Sequence, residues 1–266
     1  MRAAVLGSPI AHSLSPAMHR AAYATLGLAW TYEAHDVAEG ELARFVEGLG
    51  PRWRGFSVTA PLKREAAQFA SSRDEIVQTL GVANTLVCND GAWSAHNTDM
   101  PGAASALRSH GVHRLDSVRV LGAGATAVSM LLVAARLGAT TAELVVRDRA
   151  RAVDTLATAR RLGLDADAVA LSDPVGEGVD LLVNTAPASA TAGREHEFVS
   201  SAAAVFDVIY DPWPSALVRA AHIAGLPAAT GLDLLAHQAA AQVALMTGES
   251  VAPDVLLDAA LGTLHS

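Results

Sequence analysis

The sequence predicts an α/β protein with two domains and a cleft between them. Its 266 residues are long for a single α/β domain and comfortable for two. Short apolar or β-branched runs alternate with helical stretches, which is typical of parallel βαβ units. Hydrophobic residues make up 51% of the chain and aromatic residues only 5%, so we expect cores filled mainly by Ala, Val and Leu, as in parallel sheets covered by helices.

The predicted strands form two groups, each expected to build a parallel sheet. In chain order they are Ala3–Leu6, Thr31–His35, Gly55–Thr59 and Asn84–Cys88, then Val118–Leu121, Leu144–Val146, Leu181–Val183 and Val205–Ile209. The alternation restarts after the Asn97-Thr98-Asp99 turn, and a helical tail, Leu232–Met246 and Pro253–Leu264, has the apolar spacing to pack back on a sheet. We therefore predict a first domain of residues 1–100 joined by the C-terminal helices of residues 234–266, and a second domain of residues 101–233.

The first helix has a clear start signal. Ser15 is predicted as its N-cap and Pro16 as its first helical residue, and the helix is expected to run to about Leu26 and to end at Gly27. This places the preceding loop, which carries Ser13, at the carboxyl end of a strand.

Charge and cysteine content exclude several classes of protein. The formal net charge of -8 argues against a nucleic-acid groove or an anionic membrane surface, because both need clustered Lys and Arg. Cys88 is the only cysteine, which excludes an internal disulfide framework and a Cys-based zinc site and suits a reducing compartment. No apolar run reaches membrane-spanning length. We expect a cytoplasmic enzyme with no metal site and no nucleic-acid or membrane partner.

A glycine-rich loop opens the second domain. Gly122-Ala123-Gly124-Ala125-Thr126-Ala127 follows the strand Val118–Leu121 and precedes a helix to about Leu137. The two glycines permit a tight turn and a close approach of a pyrophosphate to backbone N–H groups, and the small third residue lets helix and strand pack closely. Although the bare motif is weak, its context predicts a Rossmann-like dinucleotide-binding domain.

The end of the next strand bears on which nicotinamide cofactor fits. A carboxylate at this position would accept hydrogen bonds from the ribose hydroxyls of NAD and would repel the 2′-phosphate of NADP. In this sequence the strand ends at Val146 and an arginine, Arg147, follows it. Arg147 and Arg151 are suited to clamp a phosphate, which favours NADP. Asp148 lies between them and weakens the clamp, and the alternative is a solvated basic patch, so NAD is kept as the second cofactor.

Several polar side chains of the first domain follow predicted strands. Taken singly, Lys63 reads as an exposed lysine and Asp99 as the N-cap of a helix through Ser109. If the first sheet is parallel, however, its carboxyl-end loops converge on one crevice, as ligand sites of open α/β sheets do. The set comprises Ser13, Ser15, Thr59, Lys63, Asn84, Thr85 and Asp99. Hydroxyls, an amide and an amine together predict a polyol pocket.

These segments resemble the shikimate dehydrogenase family along essentially the whole chain. The matching stretches, in family order, are residues 7–16 (GSPIAHSLSP), 57–63 (SVTAPLK), 83–86 (ANTL), 97–99 (NTD), the loop at Gly122, 207–210 (DVIY) and 231–238. The chain departs from the family pattern at Ser57, commonly Asn, at Met100 and Ala125, commonly Gly, at Leu234, often Met, and at residues 146–148, commonly Asn-Arg-Thr.

The resemblance implies residue roles. Ser13 and Ser15 would hold a substrate carboxylate; Thr59, Lys63, Asn84, Asp99 and Gln238 would contact ring hydroxyls and the reacting carbon, with Tyr210 lining the pocket. On the cofactor side, Gly122, Ala123, Gly124, Ala125 and Thr126 would hold the pyrophosphate, Arg147 and Arg151 the 2′-phosphate, and Val208 and Gly231 the nicotinamide end, with Thr185 nearby. The implied substrates are shikimate and 3-dehydroshikimate, and we expect a monomer or homodimer.

Reducing a ketone to an alcohol needs a hydride on carbon and a proton on oxygen. We predict that Lys63 supplies the proton and that Asp99 holds its amine, because an ammonium can polarise the carbonyl and donate to the developing alkoxide. The alternatives are a quinate/shikimate dehydrogenase using NAD and a non-catalytic metabolite-sensing paralogue of the same fold. Retention of both Lys63 and Asp99 argues against the latter.

Overall fold

A computed structural model of the protein describes residues 1–265. The strands are β1 (Arg2–Gly7), β2 (Thr31–Asp36), β3 (Trp53–Val58), β4 (Ser72–Arg73), β5 (Thr85–Asn89), β6 (Ala92–His96), β7 (Ser117–Leu121), β8 (Thr141–Val146), β9 (Asp165–Ala170), β10 (Val179–Asn184), β11 (Ala202–Asp207) and β12 (Ala228–Thr230). The α-helices are α1 (Ser15–Thr25), α2 (Leu42–Glu47), α3 (Lys63–Phe69), α4 (Glu75–Leu80), α5 (Asp99–Ser109), α6 (Ala125–Arg136), α7 (Val153–Arg161), α8 (Glu195–Ser200), α9 (Ala216–Ile223), α10 (Gly231–Thr247) and α11 (Pro253–Leu264).

The chain divides into two compact units, Met1–Gly102 with Leu235–Ser266, and Ala103–Leu234. Each unit contains one six-stranded sheet with helices, so the predicted α/β class is confirmed. Among residues 1–265, no helix is both long and apolar enough to cross a bilayer.

The sheet of the first unit has the order β2-β1-β3-β5-β6-β4. β1 pairs in parallel with β2 and β3, but β5 runs antiparallel to β3 and β6 antiparallel to β5. The prediction of an all-parallel first sheet is therefore wrong for β5. The cause is local: Asp90 (φ 51°) and Gly91 (φ 82°) close a two-residue hairpin between β5 and β6, and positive φ at both positions matches the right-handed twist of paired strands.

The reversal of β5 preserves the predicted convergence of polar residues. Asn84 precedes β5 rather than following a parallel strand, so it lies at the amino end of an antiparallel strand. That end coincides with the carboxyl ends of β1, β3 and β6. Thr59, Asn84 and Asp99 therefore lie at one edge of the sheet.

The first helix begins one residue earlier than its sequence signal indicates. Leu14 is the N-cap, with no side-chain hydrogen bond, and Ser15 is already the first helical residue, so the prediction of Ser15 as N-cap is wrong. Pro16 occupies the first turn, where its missing N–H costs nothing. The helix ends as predicted, with Leu26 as C-cap and Gly27 at φ 65°.

The sheet of the second unit has the order β12-β11-β10-β7-β8-β9, and all its neighbouring strands are parallel. Taken from β9, the strands follow the order 3-2-1-4-5-6 of the Rossmann fold, whose direction of winding reverses beside the first strand. Here that point lies between β7 and β10. The core is aliphatic, with Leu121, Leu182 and Ala221 fully buried, as the low aromatic content predicts.

Candidate active site

The first unit holds an ion pair at the carboxyl edge of its sheet. Lys63 is the first residue of α3 and Asp99 the first residue of α5. Lys63 Nζ donates to Asp99 Oδ2 at 2.5 Å, and the two side chains are only 12% and 8% exposed. The interpretation of Lys63 as a solvated surface lysine is therefore wrong. Lys63 is also the only lysine among the 19 Lys and Arg residues of the chain.

Asn84 joins this ion pair to a wider polar cluster. Its Nδ2 donates to Asp99 Oδ1 at 2.8 Å, so each oxygen of that carboxylate has its own donor. Its Oδ1 accepts from the backbone N–H of Thr98 at 2.8 Å and from the Thr85 hydroxyl at 2.9 Å. Asn84 is 2% exposed, and these bonds satisfy a side chain that would be costly to bury unpaired. Thr98, which sequence reasoning left without a role, thus supplies one of the two donors that orient Asn84.

Gln238 reaches the same cluster from α10. Its Oε1 lies 3.2 Å from Asn84 Nδ2 and 3.4 Å from Thr98 Oγ1. Gly102 allows this approach, because a Cβ added there would lie 2.9 Å from the backbone N of Gln238. The structure therefore brings together four of the predicted residues, which are Lys63, Asn84, Asp99 and Gln238.

The residues predicted to bind the substrate carboxylate lie at the same sheet edge: Ser13 in the loop after β1, and Ser15 at the first position of α1. The backbone N–H of Ser15 approaches Ser13 Oγ at 3.4 Å, and Ser15 is buried. Thr59 is held beside this loop by its N–H, which donates to Leu6 O at 2.9 Å. Tyr210 belongs to the other compact unit, where burial, with a smaller contribution from the charge of Asp211, raises its pKa.

The glycine loop of the second unit has the geometry that its motif predicts. Gly122 has φ 106°, and a Cβ there would lie 2.6 Å from Thr185 Oγ1. Gly124 is the N-cap of α6 without a side-chain bond, and the space around its missing Cβ is open. Ala125 and Thr126 form the first turn of this helix, whose free N–H groups and dipole attract an anion. Thr155 Oγ1 donates to Ala123 O at 2.8 Å and supports the loop, a contact that the sequence did not indicate.

A cavity of about 670 Å³ lies over this loop. Its lining includes Gly122, Ala123, Gly124, Arg147, Asp148, Arg151 and Thr185. The carboxylate of Asp148 accepts from the backbone N–H of Ala150 at 2.9 Å and caps the short 3-10 turn Arg149–Ala152. Arg149 pairs instead with Asp173 at 2.9 Å. Two guanidinium groups thus line one cavity with an uncapped helix start, a donor set that fits a dinucleotide carrying an extra phosphate.

Val208 and Gly231, predicted at the nicotinamide end, are in direct contact. A Cβ at Gly231 would overlap the carbonyl of Val208, so only glycine fits. The turn carrying Val208 is braced by Asp207, which accepts from Asn184 Nδ2 at 2.9 Å and from Ser215 Oγ at 2.6 Å. Burial raises the pKa of Asp207. Among residues 1–265, no group of three or more His, Cys, Asp or Glu side chains is arranged to hold a metal ion.

The fold and the two sites define a class: an α/β protein that combines a Rossmann-like unit with a unit that clusters an amine, a carboxylate and two amides at the end of its sheet. A family model described as the shikimate dehydrogenase substrate binding domain matches residues 5–86. The shikimate dehydrogenase (NADP(+)) of Citrifermentans bemidjiense is 35% identical, over 97% of this chain and 93% of its own length.

Solved structures agree with this comparison. Mycobacterium tuberculosis shikimate dehydrogenase matches with a TM-score of 0.88 and 37% identity, covering 98% of this chain and 99% of that one. The Thermus thermophilus shikimate 5-dehydrogenase, solved in complex with NADP(H) and shikimate, matches with a TM-score of 0.87 and 33% identity, covering 99% and 100%. The chain belongs to the shikimate dehydrogenase family.

Proposed function

We propose that this protein is an NADP-dependent shikimate dehydrogenase, which reversibly reduces the ketone of 3-dehydroshikimate to the alcohol of shikimate. The observation that carries the proposal is the buried Lys63–Asp99 pair, held by Asn84 and Gln238 in a member of this family. A non-catalytic sensing protein has no need of a proton donor at this position, so the pair favours the enzyme.

Lys63 is assigned the proton transfer. Its ammonium has three N–H donors, of which one is directed at Asp99, leaving the others for the carbonyl oxygen of the substrate. When bound, NADPH supplies the hydride to the carbonyl carbon. Lys63 stabilises the negative charge that develops on oxygen and donates the proton to it, and in the oxidative direction it accepts the proton of the hydroxyl.

Asp99 and its partners position the amine and the ring. Because Asp99 Oδ1 is held by Asn84 and Oδ2 by Lys63, the carboxylate is fixed at both oxygens. We assign neighbouring ring hydroxyls to Asp99, Asn84, Thr59 and Gln238, and the substrate carboxylate to the loop carrying Ser13 and Ser15. The first unit is then the substrate domain.

The second unit is assigned the cofactor. The pyrophosphate is expected at residues 122–126, the 2′-phosphate at Arg147 and Arg151, and the nicotinamide end at Val208 and Gly231. The carboxylate of Asp148 caps the turn by accepting from the Ala150 N–H. Because it is engaged there, it opposes a 2′-phosphate less, and this supports NADP. NAD remains the alternative cofactor.

Steady-state rates of NADP reduction with shikimate test the proposal directly, with quinate and NAD as parallel arms. Activity with shikimate and NADP that is lost in Lys63→Met supports it. A fully folded protein that turns over neither shikimate nor quinate with either cofactor is a binding protein and contradicts it. Activity with quinate and NAD that exceeds that with shikimate and NADP assigns the alternative function.

Three further expectations belong to this proposal. The interdomain cleft, a cytoplasmic location and a monomeric or homodimeric state all remain predictions. Light scattering coupled to size-exclusion chromatography tests the last of these, with any larger assembly contradicting it.

A further inference from the structure

A second glutamine of α10, Gln242, uses all four hydrogen-bonding positions of its carboxamide. Nε2 donates to the backbone O of Asn84 at 3.1 Å and to Thr85 Oγ1 at 3.0 Å. Oε1 accepts from Ser57 Oγ at 2.7 Å and lies 3.2 Å from His19 Nε2. Gln242 is 1% exposed, so these contacts are made without competition from bulk water.

The partners of Gln242 fix its orientation. A backbone carbonyl only accepts hydrogen bonds, so the amide nitrogen must face Asn84 O and the amide oxygen must face Ser57 and His19. Nε2 of His19 therefore carries the proton that Gln242 accepts. Burial lowers the pKa of His19 to about 4, although the bond to Gln242 opposes this, so the ring is neutral near pH 7.

Thr85 connects Gln242 to the proposed catalytic pair. Because its hydroxyl accepts from Gln242, its own proton is left for Asn84 Oδ1 at 2.9 Å. The Thr98 N–H donates to the same oxygen at 2.8 Å. The amide nitrogen of Asn84 must then point the other way, towards Asp99 Oδ1 at 2.8 Å.

Tyr32 completes the network at the opposite end. Its hydroxyl donates to Ser57 Oγ at 2.5 Å, which leaves the Ser57 proton for Gln242. The Tyr32 ring stacks on His19 with centroids 4.0 Å apart. Along the chain of hydrogen bonds that joins Tyr32, Ser57, Gln242 and Thr85, each donor therefore has one acceptor. Reversing the Gln242 amide would leave buried donors facing donors and buried acceptors facing acceptors.

We propose that Gln242 is a positioning residue, which through Thr85 holds the Asn84 carboxamide in the orientation that donates to Asp99 and leaves the other carboxylate oxygen to Lys63. None of the four hydrogen bonds of Gln242 is to Lys63 or Asp99. The inference rests on the proposed function, because it assumes that this pair acts in the reaction.

Gln242→Met tests the inference, because it keeps the length of the side chain and removes all four hydrogen bonds. We expect kcat for shikimate oxidation to fall about tenfold, the scale of a coupling within one hydrogen-bond network, with KM for NADP unchanged. Val243→Ala is the matched control: it removes fully buried volume from the same helix and should lower stability without lowering kcat.

A double-mutant cycle separates positioning from packing. In an Asn84→Ala background, Gln242→Met should change kcat less than twofold, because the group through which it acts is absent. An equal fall in both backgrounds overturns the inference. Should Gln242→Met not fold, Thr85→Val interrupts the same chain with a nearly isosteric side chain and carries the same expectation.

The two proposals fail in different ways. A folded wild-type protein that turns over neither shikimate nor quinate with either cofactor overturns the proposed function itself. An inactive Lys63→Met together with an unchanged kcat in Gln242→Met or Thr85→Val leaves the function standing and overturns only the role of Gln242.

Discussion

An Arg147→Ala substitution should lower the preference of this protein for NADP over NAD and change little else. Arg147 lines the cavity over the glycine loop and is exposed. A hydrogen bond between charged groups contributes about 1.5 to 3 kcal/mol, and solvent screening at an exposed arginine favours the lower end. About 1.5 kcal/mol corresponds to a roughly tenfold fall in kcat/KM for NADP. NAD has no phosphate at this position, so its kcat/KM should stay within about twofold of the wild-type value.

The assay is initial-rate kinetics at saturating shikimate, with each cofactor varied at low and at high salt. The effect on NADP should shrink as salt rises, since screening weakens an exposed ion pair. Arg149→Ala is the matched control, because Arg149 is in the same turn but pairs with Asp173. An equal change for NADP and NAD, or an Arg149→Ala effect as large as that of Arg147→Ala, would refute the assignment of the 2′-phosphate to Arg147.

Three further predictions concern the substrate loop, the glycine loop and the buried histidine. Ser13→Ala should weaken shikimate binding roughly tenfold, the scale of one hydrogen bond to a carboxylate, and leave NADP binding unchanged; calorimetric titration checks both, and normal shikimate affinity would move the carboxylate to another loop. Gly122→Ala should lower the free energy of unfolding by about 1 to 2 kcal/mol for its left-handed backbone alone, and NADP binding should be lost. Unchanged urea unfolding would contradict the clash inferred between the added Cβ and Thr185 Oγ1. The pKa of His19 is about 4 in the folded protein and 6.5 for the free side chain, so between these values only the unfolded chain takes up the proton. The free energy of unfolding should therefore decrease as the pH is lowered, by about 2 kcal/mol from pH 7 to pH 5. That component should be missing in His19→Leu, and an equal pH dependence in both proteins would contradict it.

Much of the site was predictable because its residues lie where strands end, and the order of strands along the chain is enough to locate these positions. The predicted strand Gly55–Thr59 places Thr59 correctly, and a glycine loop between strand and helix places the second site. Asp99 follows β6, a strand that the sequence analysis did not predict. Asn84 reached the expected edge for a different reason than predicted. The Asp90-Gly91 pair is a hairpin signal that identifies the reversal of β5, and it outweighs the general expectation of parallel βαβ units.

Other features depend on contacts between residues that are distant in sequence. The bonds from Thr155 to the glycine loop and from Gln242 to Thr85 join positions 32 and 157 residues apart, which no local pattern reveals. The start of α1 was misplaced because Ser15 and Pro16 fit either an N-cap and first turn or a first turn alone. Only the geometry, with Leu14 as N-cap, decides between them.

The central claim is that Lys63 supplies the proton, and the kcat of Lys63→Met and Lys63→Arg tests it most directly. Arginine keeps the positive charge beside Asp99 but does not release a proton near neutral pH. We predict that both variants lose about two or more decades in kcat, with a much smaller change in KM for shikimate, because the proton is transferred in the transition state. A folded Lys63→Arg protein with kcat near that of the wild type would show that the site needs only the charge, and would contradict the assignment of Lys63 as the proton donor.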